Sequence, residues 1–550
     1  MLKQIELKNF KAFSENGAIA ELAPITLVCG QNSAGKSSLI QSLLMLSQTI
    51  QLQDNNLDSP DIVTSGKYVD LGNFNSLLNS HDPRKKLNIA LTFENKKSVN
   101  KFLENKISLL FESSQKNNEG SENYFGSLNK IDFSCLLSDS QKFEFSLNRV
   151  SKDRNFSFNP ETNFKKIIEC LPKGPREIFM FKRIQRDKYN SIKAKLIKEF
   201  QSALNKNTSK DELNQISKQL EDIDYQIKKS EALDDDDKLL SENLHSRTIS
   251  KLKSIILSNR SDRFVSFRQN GSYIPTSYED QYTENKEPTI AEIYMQRITS
   301  YISAFNSALN NNLGQLSYLG PLRSAPQRSY ANKMGKALSV GNSGEDIVQM
   351  LRVAIDHSSN SQKFIQDYLN EECINLGIPY KFHTLLKSEN VAGDLVILNV
   401  TDIRTNTIVA LTDVGFGISQ LLPIIIQAIY SYEFSKKRRS LILVEQPELH
   451  LHPNLQAKIA DFIIKKSQPT QNHEGLQWII ETHSESLIRR LQRRVKEKQL
   501  KPEDVSILYV DRVGDYGSVI KRLRLDEYGE FIDSWPNGFF VDAFSDLTDY

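Results

Sequence analysis

The stretch Gly30-Gln31-Asn32-Ser33-Ala34-Gly35-Lys36-Ser37 decides how this chain folds, because it fits the pattern G-x-x-x-x-G-K-[ST] at every fixed position. The apolar run 25–29 precedes it and predicts a buried strand, and residues 38–46 follow it with the pattern of a helix. A strand, such a loop and a helix in this order form a phosphate-binding loop. The sequence therefore predicts a nucleotide site; the alternative is a chance match in a Gly/Ser turn.

The residue types of this loop each have a part in that chemistry. Lys36 would reach the β- and γ-phosphates, and the Ser37 hydroxyl would coordinate Mg²⁺. The glycines would let successive backbone N–H groups turn inward, and the helix N-terminus would add favourable partial charge. The predicted ligands are a nucleotide and Mg²⁺, bound by Gly30, Gln31, Asn32, Ser33, Ala34, Gly35, Lys36 and Ser37.

The composition is that of a soluble globular protein. With 550 residues the chain predicts two or more structural units, and its net charge of +2 gives no overall attraction to nucleic acid. No apolar run approaches about 18 residues, and charges interrupt the first residues, so we expect no membrane span, no signal peptide and a cytoplasmic protein. The cysteines are far apart and predict neither a disulfide framework nor a zinc site: Cys29, Cys135, Cys170 and Cys373.

The pattern along the chain divides it into three parts. Residues 1–150 read as short strands and turns, and residues 318–550 as alternating strands and helices, which together predict an α/β head. Between them, residues 151–317 predict a mainly helical insertion. There the apolar positions Leu213, Ile216, Leu220, Ile223 and Ile227 are spaced as a short coiled-coil seam. A second periodic segment, 240–256, suggests a helical hairpin; ordinary amphipathic helices on a globular body are the alternative.

Two apolar runs in the second half of the chain end in acidic residues. The run 441–445 predicts a strand whose terminal carboxylate, Glu445, would lie beside the Mg²⁺ shell. The run 478–480 predicts another strand, followed by Glu481-Thr482-His483-Ser484-Glu485. A histidine just past a strand end can contact a γ-phosphate, which makes His483 a candidate site residue. Many buried strands end in a charged residue and lone histidines are more often structural, so those alternatives stay open.

A glycine–serine segment precedes a long apolar helix pattern. It reads Asp413-Val414-Gly415-Phe416-Gly417-Ile418-Ser419-Gln420. Two glycines and a serine at a helix start make a second shape suited to an anion. The structural alternative is a turn from loop to helix in which the glycines serve backbone geometry only.

The order of these parts resembles the ABC-type ATPase heads of the RecF, SMC and OLD kind. The most specific resemblance is to bacterial ATPases that carry E-Q-P-E-L-H-L-H-P, here from Glu445, and E-T-H-S-E, here from Glu481. Residues 318–323 and 535–540 match the same group, in which many members serve in anti-phage defence, including Septu and retron systems. The resemblance covers residues 1–95 and 318–545 well. It implies an α/β, ABC-type P-loop ATPase head that carries the inserted helical subdomain.

The resemblance also implies roles for the residues already named. Residues 30–38, including Ser38, would form the Walker A loop that binds ATP, and Glu445 would hold Mg²⁺ directly or through water. Gly415, Gly417, Ser419 and Gln420 would cap the γ-phosphate of a second subunit's ATP in a head-to-head dimer. His483 would be the switch histidine. The segment 68–72 occupies the usual place of the Q-loop, but it contains no glutamine.

The catalytic position departs from the pattern of those ATPases. The residue after the Walker B acid is usually a glutamate that polarises the attacking water, and here it is Gln446. An amide orients water but does not accept its proton as a carboxylate does. Phosphoryl transfer depends more on positioning than on base strength, so slow hydrolysis is expected. Glu448 is a candidate substitute base if the turn at Pro447 brings it close.

A cluster of arginines follows the histidine strand: Arg489, Arg490, Arg493 and Arg494. Their i, i+4 spacing predicts a dense positive helix face that would suit nucleic-acid phosphates, an acidic partner or simply solvent. No nuclease pattern is visible in the sequence. If the system cleaves nucleic acid, the resemblance implies a partner: an HNH-type nuclease, with a reverse transcriptase and its RNA–DNA product in retron systems.

Three functions remain open at this point. The first is an ATPase of anti-phage defence whose ATP-bound dimer restrains or releases a toxic partner. The second is a DNA-repair or DNA-maintenance ATPase of the RecF kind, which clamps nucleic acid without such a partner. The third is a nucleotide-binding scaffold without turnover. A long SMC-like arm is not expected, because a helix rises only about 1.5 Å per residue and the insertion is short.

Overall fold

A computed structural model describes the two ends of the chain most fully and parts of its middle. The described residues are 1–53, 61–94, 102–118, 121–137, 142–149, 156–158, 190, 192–203, 210–231, 266–268, 277–278, 302, 305–331, 339–351, 353–356, 363–383, 386–387, 395–434, 439–471, 473–514 and 517–535. They form two larger sheets, with helices packed on both faces of one of them.

The larger sheet has nine strands in the order β10-β9-β8-β7-β6-β5-β4-β1-β2, and all neighbouring strands in it are antiparallel. Apolar and polar residues alternate at 4–10 and 87–93, which predicts two strands, and both are present, slightly shifted, as β1 and β4. The longest strands exceed the short ones expected for this part of the chain. Their bounds are β1 (Leu2–Lys8), β2 (Ala18–Glu21), β4 (Leu87–Glu94), β5 (Phe102–Asn118), β6 (Ser121–Leu137), β7 (Lys142–Arg149), β8 (Phe156–Phe158), β9 (Ser266–Arg268) and β10 (Ser277–Tyr278).

The second sheet has six strands in the order β11-β20-β21-β3-β22-β23. Neighbouring strands in it are parallel except β22 and β23. Every residue of β3 is buried, as expected for a central strand that is covered on both faces. The bounds are β3 (Ile25–Gly30), β11 (Ser317–Leu319), β20 (Leu441–Glu445), β21 (Gln477–Glu481), β22 (Val505–Arg512) and β23 (Ser518–Leu523).

Helices cover the two faces of the six-stranded sheet. On one face, α1 (Lys36–Gln53) shares an apolar core with the nine-stranded sheet. On the other face lie α4 (Ile347–Leu351), α5 (Ile365–Leu376), α6 (Phe416–Phe434), α7 (Pro453–Ser467) and α8 (Glu485–Lys496). The side chains of β3 alternate between two apolar cores. Val28 faces the core that contains α1 and the nine-stranded sheet, whereas Leu27 and Cys29 face the core that contains α4 to α8. This layered arrangement confirms the predicted α/β class.

Shorter elements complete the described structure. They are the helix α2 (Phe74–Leu77) and the strands β12 (Tyr330–Ala331), β13 (Ala354–Asp356), β14 (Lys363–Phe364), β15 (Tyr380–Phe382), β16 (Leu386–Lys387), β17 (Leu395–Ile397), β18 (Asn399–Asp402) and β19 (Thr407–Ala410). None of the helices that the structure describes is long and apolar enough to cross a membrane. Cys29, Cys135 and Cys373 are buried free thiols, and Cys170 lies outside the described residues.

The middle of the chain contributes both helix and strand. The predicted seam at 213–227 lies on α3 (Lys210–Glu231). Residues 192–203 are also helical, and Lys193 forms an ion pair with Asp224 of α3. The second seam segment, 240–256, falls outside the described residues. Strands β8, β9 and β10 lie in the predicted insertion 151–317 and extend the nine-stranded sheet, so the described part of that region is not helical alone.

Candidate functional site

The loop after β3 has the backbone conformation that its glycines allow. Gly30 has φ +138° and Gly35 has φ +106°, which are values that side chains disfavour. A Cβ atom at Gly30 would lie 2.1 Å from the carbonyl oxygen of Val510 on the neighbouring strand β22. The loop therefore turns sharply against β22 and delivers Lys36 as the first residue of α1. This is the strand–loop–helix arrangement that the sequence predicts for residues 30–37.

The loop lysine lies folded across the loop that precedes it. Lys36 Nζ donates hydrogen bonds to the carbonyl oxygens of Gly30 at 3.1 Å and Gln31 at 2.8 Å. Only 5% of the residue is exposed. Burial lowers the pKa of Lys36, while the charges of Glu481 and the Cys29 thiol oppose that shift. The ammonium group is thus held at the loop, where a phosphate would replace the carbonyl oxygens as its partner.

Two carboxylates lie side by side next to this loop. Strands β20 and β21 are parallel neighbours, and their register pairs Glu445 with Glu481 at the carboxyl ends of both strands. Both residues are buried. The hydroxyl of Ser37 donates a hydrogen bond of 3.1 Å to Oε2 of Glu481. The structure therefore brings together the predicted Ser37 and Glu445, and it adds Glu481, to which the sequence analysis assigned no role.

These carboxylates have perturbed protonation equilibria. Burial and the neighbouring Glu481 raise the pKa of Glu445 to about 7, against the effects of a Tyr318 hydrogen bond and of Arg323. Burial also raises the pKa of Glu481, with a further contribution from Glu448, while Lys36 and Ser37 oppose it. Two buried carboxylates that disfavour each other's charge are stabilised together by a cation between them.

The donor chemistry at this position fits Mg²⁺. A hydroxyl and two carboxylates offer the hard oxygen ligands that Mg²⁺ takes, usually with phosphate oxygens and water completing the shell. Ser37 and Glu445 are the predicted residues that would hold the ion, and Glu481 contacts Ser37. In the described part of the chain no three His, Cys, Asp or Glu side chains are grouped to hold a metal by themselves. The fit is therefore to an ion that arrives with phosphates.

The backbone of His483, the predicted γ-phosphate contact, is held by Glu448, the predicted substitute base. The backbone N–H of His483 donates to Glu448 Oε1 at 2.7 Å, and the hydroxyl of Thr482 donates to Glu448 Oε2 at 2.9 Å. Glu448 is buried, so both of its oxygens serve as acceptors inside the protein. Burial, followed by the charge of Lys36, lowers the pKa of His483 against the pull of Glu448. At neutral pH the imidazole is uncharged and has one N–H to donate.

Gln446 occupies a strained position directly after β20. Its φ of +45° lies in the left-handed region, which side chains disfavour. Its backbone N–H donates to the carbonyl oxygen of Glu481 at 2.7 Å, so the turn at Pro447 is tied to the end of β21. A backbone fixed at both strand ends holds the Gln446 amide group at the edge of the sheet where the phosphate loop lies.

A buried arginine and a tyrosine support this edge from strand β11 and the loop after it. Arg323 donates to the carbonyl oxygens of Glu445 at 2.7 Å and Gln446 at 3.4 Å, and Tyr318 donates to Glu445 Oε1 at 2.9 Å. Burial lowers the pKa of Arg323 to about 10, so it stays charged at neutral pH. Both residues belong to the segment 318–323, on which part of the family resemblance rests, but no sequence motif assigns them a role.

The two glycines of the segment 413–420 have different surroundings. A Cβ atom at Gly417 would lie 2.3 Å from the carbonyl oxygen of His450, so close packing requires glycine there. A Cβ atom at Gly415 would meet nothing within 4 Å, and its φ is not positive. Gly417 therefore fits the structural alternative, whereas nothing among the residues that the structure describes requires glycine at Gly415.

The rest of this segment starts helix α6 and is tied to the supporting arginine. The hydroxyl of Ser419 donates to the Phe416 carbonyl oxygen at 2.6 Å, and Gln420 Nε2 donates to the Arg323 carbonyl oxygen at 3.3 Å. Within the described residues, no hydrogen bond joins 415–419 to the phosphate loop. The structure thus assembles the phosphate loop, the two strand-end carboxylates and His483, and the glycine–serine segment is joined to Glu445 through Gln420 and Arg323.

The arginine helix does not present the dense positive face that its spacing predicts. Each of its four arginines pairs with a carboxylate. Asp461 of α7 accepts from both Arg490 and Arg494, while Arg493 and Arg494 pair with Glu497 and Arg489 pairs with Glu485. The prediction is wrong because most of the arginine charge is neutralised, in part by a residue on a different helix. Arg439, the last residue of the basic run 436–439, also has a partner, since it donates to the carbonyl oxygen of Glu474.

A comparison with protein-family models identifies the class of this site. The model described as AAA ATPase domain (AAA_15) matches residues 1–488. The chain belongs to the AAA ATPase domain family. A second model, described as Protein of unknown function (DUF3696), matches residues 500–549. The protein is therefore an ATPase of this family, and Lys36 and Ser37 of the phosphate loop remain its predicted nucleotide-site residues.

Comparisons with individual proteins add only remote similarity. A comparison with curated protein sequences finds no match. Among solved structures, the Smc head domain with an extended coiled coil bound to the C-terminal domain of ScpA, from Pyrococcus furiosus, is 13% identical with a TM-score of 0.33, covering 95% of this chain and 96% of that chain. The SmcHead bound to the C-winged helix domain of ScpA is 10% identical with a TM-score of 0.40, covering 96% and 98%. The SMC head domain from Thermotoga maritima is 9% identical with a TM-score of 0.33, covering 95% and 98%.

Proposed function

We propose that this AAA-family ATPase binds ATP with Mg²⁺, hydrolyses it slowly, and serves in the cytoplasm as the ATPase of a bacterial anti-phage defence system. The observation that carries the ATP chemistry is the meeting of Lys36 and Ser37 with the paired carboxylates Glu445 and Glu481. Slow turnover is supported by Gln446, which stands where a catalytic carboxylate is expected. ATP occupancy, rather than rapid cycling, is then the signal.

The chain's own residues supply positioning and charge in this proposal. Lys36 binds the β- and γ-phosphates, and Ser37 and Glu445 hold Mg²⁺, which neutralises charge that develops on the phosphates. The uncharged His483 donates a hydrogen bond to the γ-phosphate. Gln446 orients the attacking water through its amide, which fixes geometry without taking the proton. Glu448 is retained as a candidate base, and its two hydrogen bonds also make it a positioning group for His483.

We extend the proposal to a head-to-head dimer that encloses ATP. Gly415, Gly417, Ser419 and Gln420 begin helix α6 or precede it directly. In a second copy these residues would approach the γ-phosphate, and the open space at Gly415 supports close approach of a ligand to its backbone. ATP then favours assembly because only the dimer completes the contacts to it.

The defence role and the partner rest on the sequence resemblance. The segments from Glu445 and Glu481 match those of the ATPases of Septu and retron systems, of which PtuA is the specific protein resembled. The partner proposed on that basis is an HNH-type nuclease, joined in retron systems by a reverse transcriptase and its RNA–DNA product. The paired arginines of α8 give no independent support for direct nucleic-acid contact.

A second function keeps the same ATP chemistry without a toxic partner. A DNA-repair or DNA-maintenance clamp of the RecF kind would use the same dimer to enclose nucleic acid. Such a clamp needs unpaired cations facing the phosphates, because each neutralised phosphate contributes to affinity and to its salt dependence. Binding of duplex DNA that weakens steeply with salt and requires ATP would favour this function over the defence role.

One experiment tests the core of the proposal. The purified chain is assayed for ATP turnover and for its mass in solution, with and without ATP and Mg²⁺. We expect assembly on ATP with slow turnover, and we expect Lys36→Ala to lose both. Brisk turnover without assembly would contradict signalling by occupancy. Co-expression with genes adjacent to its own then tests the partner, which we expect to be a nuclease.

A further inference from the structure

We propose that Glu481 is a direct ligand of the Mg²⁺ that accompanies ATP, at the position in the ion's shell next to the Ser37 hydroxyl. The inference rests on the proposed function and goes beyond it, since the Walker A serine and the Walker B acid are the ligands that the resemblance implies. The juxtaposition that carries it is the 3.1 Å contact between Ser37 Oγ and Glu481 Oε2.

The length of that contact fits the shell of the ion. Mg²⁺ demands octahedral geometry with oxygen ligands at about 2.0–2.1 Å, which sets neighbouring ligand oxygens about 3 Å apart. Ser37 Oγ and Glu481 Oε2 already have this separation before any ion binds. When the ion binds, the serine proton turns away and both oxygens direct lone pairs at it, so neither side chain needs to move far.

The strand register gives the second reason. Glu481 ends β21, between β20 with Glu445 and β3 with the phosphate loop. A ligand at this strand end therefore lies between the Walker B acid and the phosphates. The segment 68–72, which occupies the usual place of the Q-loop, contains no glutamine, and its backbone is held by Gln48, which accepts from the amides of Tyr68 and Val69.

A carboxylate in this place has a consequence that an amide does not have. Without a divalent cation, the negative charge of Glu481 repels the triphosphate, whereas with Mg²⁺ the same charge attracts the ion that the triphosphate carries. Removing the charge therefore acts in opposite directions under the two conditions. A residue that only supports the fold would change nucleotide affinity in the same direction with and without the ion.

The test measures the affinity of the full-length chain for a fluorescent ATP analogue at pH 8, in excess Mg²⁺ and in EDTA. The variants are Glu481→Ala, which removes the ligand, and Glu481→Gln, which keeps a neutral ligand oxygen of the same size. Glu503→Gln is the matched control, because Glu503 is exposed beside Lys501. In Mg²⁺ we expect Glu481→Ala to lose at least ten-fold in affinity and Glu481→Gln to lose less. In EDTA we expect both to bind at least as tightly as the wild type.

A second readout follows the ion directly. Free Mn²⁺ is titrated by its electron paramagnetic resonance signal in the presence of protein and ATP, and Glu481→Ala is expected to leave more Mn²⁺ free. Equal losses of affinity in Mg²⁺ and EDTA, or wild-type affinities for both variants in Mg²⁺, would overturn the inference. Failure of the proposed function gives a different result, since the wild type and Lys36→Ala would then bind nucleotide equally poorly.

Discussion

The hydroxyl of Thr482 donates a hydrogen bond of 2.9 Å to Oε2 of Glu448, whose other oxygen accepts from the backbone of His483. One carboxylate thus joins the turn after β20 to the turn after β21. Those two turns carry Gln446 and His483, the groups expected to contact the attacking water and the γ-phosphate. The position of Glu448 between them explains why a carboxyl group three positions beyond the strand is buried.

Thr482 separates the two roles proposed for Glu448. If Glu448 mainly positions His483, both Glu448→Gln and Thr482→Val lower ATP turnover. We expect turnover to fall at least ten-fold in Glu448→Gln and by a similar factor in Thr482→Val. Steady-state turnover with ATP binding measured in parallel checks this, and binding should change little. An inactive Glu448→Gln beside a fully active Thr482→Val would instead favour the role of base, because Thr482→Val leaves the carboxylate in place.

Arg323 stabilises the site by holding the backbone of Glu445 and Gln446. We expect Arg323→Ala to lower the free energy of unfolding by about 2–4 kcal/mol, because buried carbonyl oxygens lose a charged donor and a cavity remains. Urea unfolding followed by circular dichroism measures the change. The control is Arg328→Ala, since the Arg328 side chain is 78% exposed and pairs only at 3.6 Å with Asp413. A stable Arg323→Ala would show that the hydrogen bonds contribute little.

Gly417 in α6 and Gly415, which directly precedes that helix, offer a matched pair of substitutions. Gly417→Ala places a Cβ atom 2.3 Å from the His450 carbonyl oxygen, and we expect a loss of about 2–3 kcal/mol in stability. Gly415→Ala meets open space, so we expect less than about 0.5 kcal/mol. If Gly415 contacts ATP held by a second copy, Gly415→Ala nevertheless weakens ATP-driven dimerisation. Unfolding curves and sedimentation with ATP distinguish the two effects, and normal dimerisation of Gly415→Ala would contradict the proposed contact.

The parts of the site that the sequence predicts are those encoded by a few consecutive residues. The phosphate loop, α1 and the strands ending at Glu445 and Glu481 follow from local periodicity and turn chemistry. The pairing of Glu445 with Glu481 depends on which strands become neighbours, and single-sequence patterns do not encode that order. For this reason Glu481 received no role, although its segment was noted.

The arginines of α8 also show that sequence patterns do not predict contacts between different elements. Spacing within the helix predicts the shared face of the arginines, but Asp461 reaches them from α7, about thirty residues earlier. The glycines of 413–420 are a second example. The sequence does not show that Gly417 is required for packing, because the carbonyl oxygen that a side chain would meet belongs to His450, far along the chain. Local patterns predict elements and motifs, whereas partners across elements come from the tertiary structure.

An ion-pair cluster away from the nucleotide site predicts how stability depends on pH. Glu372 of α5 is buried and contacts Lys465 and Lys466 of α7 at 2.9 and 3.1 Å. Burial alone would raise the pKa of Glu372, but Lys466, Lys465 and Asn375 outweigh it and hold the pKa below the ordinary 4.5. A lowered carboxyl pKa stabilises the folded state above pH 4.5, and that stabilisation is lost as the pH falls through the folded value.

Glu372→Gln tests this cluster. At pH 7 we expect it to lower the free energy of unfolding by about 3 kcal/mol, because Lys466 is left buried without its counter-charge. The difference from the wild type should shrink between pH 4.5 and lower values. Urea unfolding at several pH values measures it, with Glu503→Gln as the exposed control. A constant difference across that range would show that ionisation of Glu372 is not the source of the stability.

The central strand of the nucleotide site has consequences for synthesis of the chain. Strand β3 ends at Gly30, but both of its neighbours come from the last part of the sequence, β21 from Gln477 and β22 from Val505. At about 5–20 residues per second, a ribosome needs on the order of half a minute or more between them. During that interval the emerging strand has no partner and exposes apolar surface. The nucleotide site can therefore be completed only after β21 and β22 have both been synthesised.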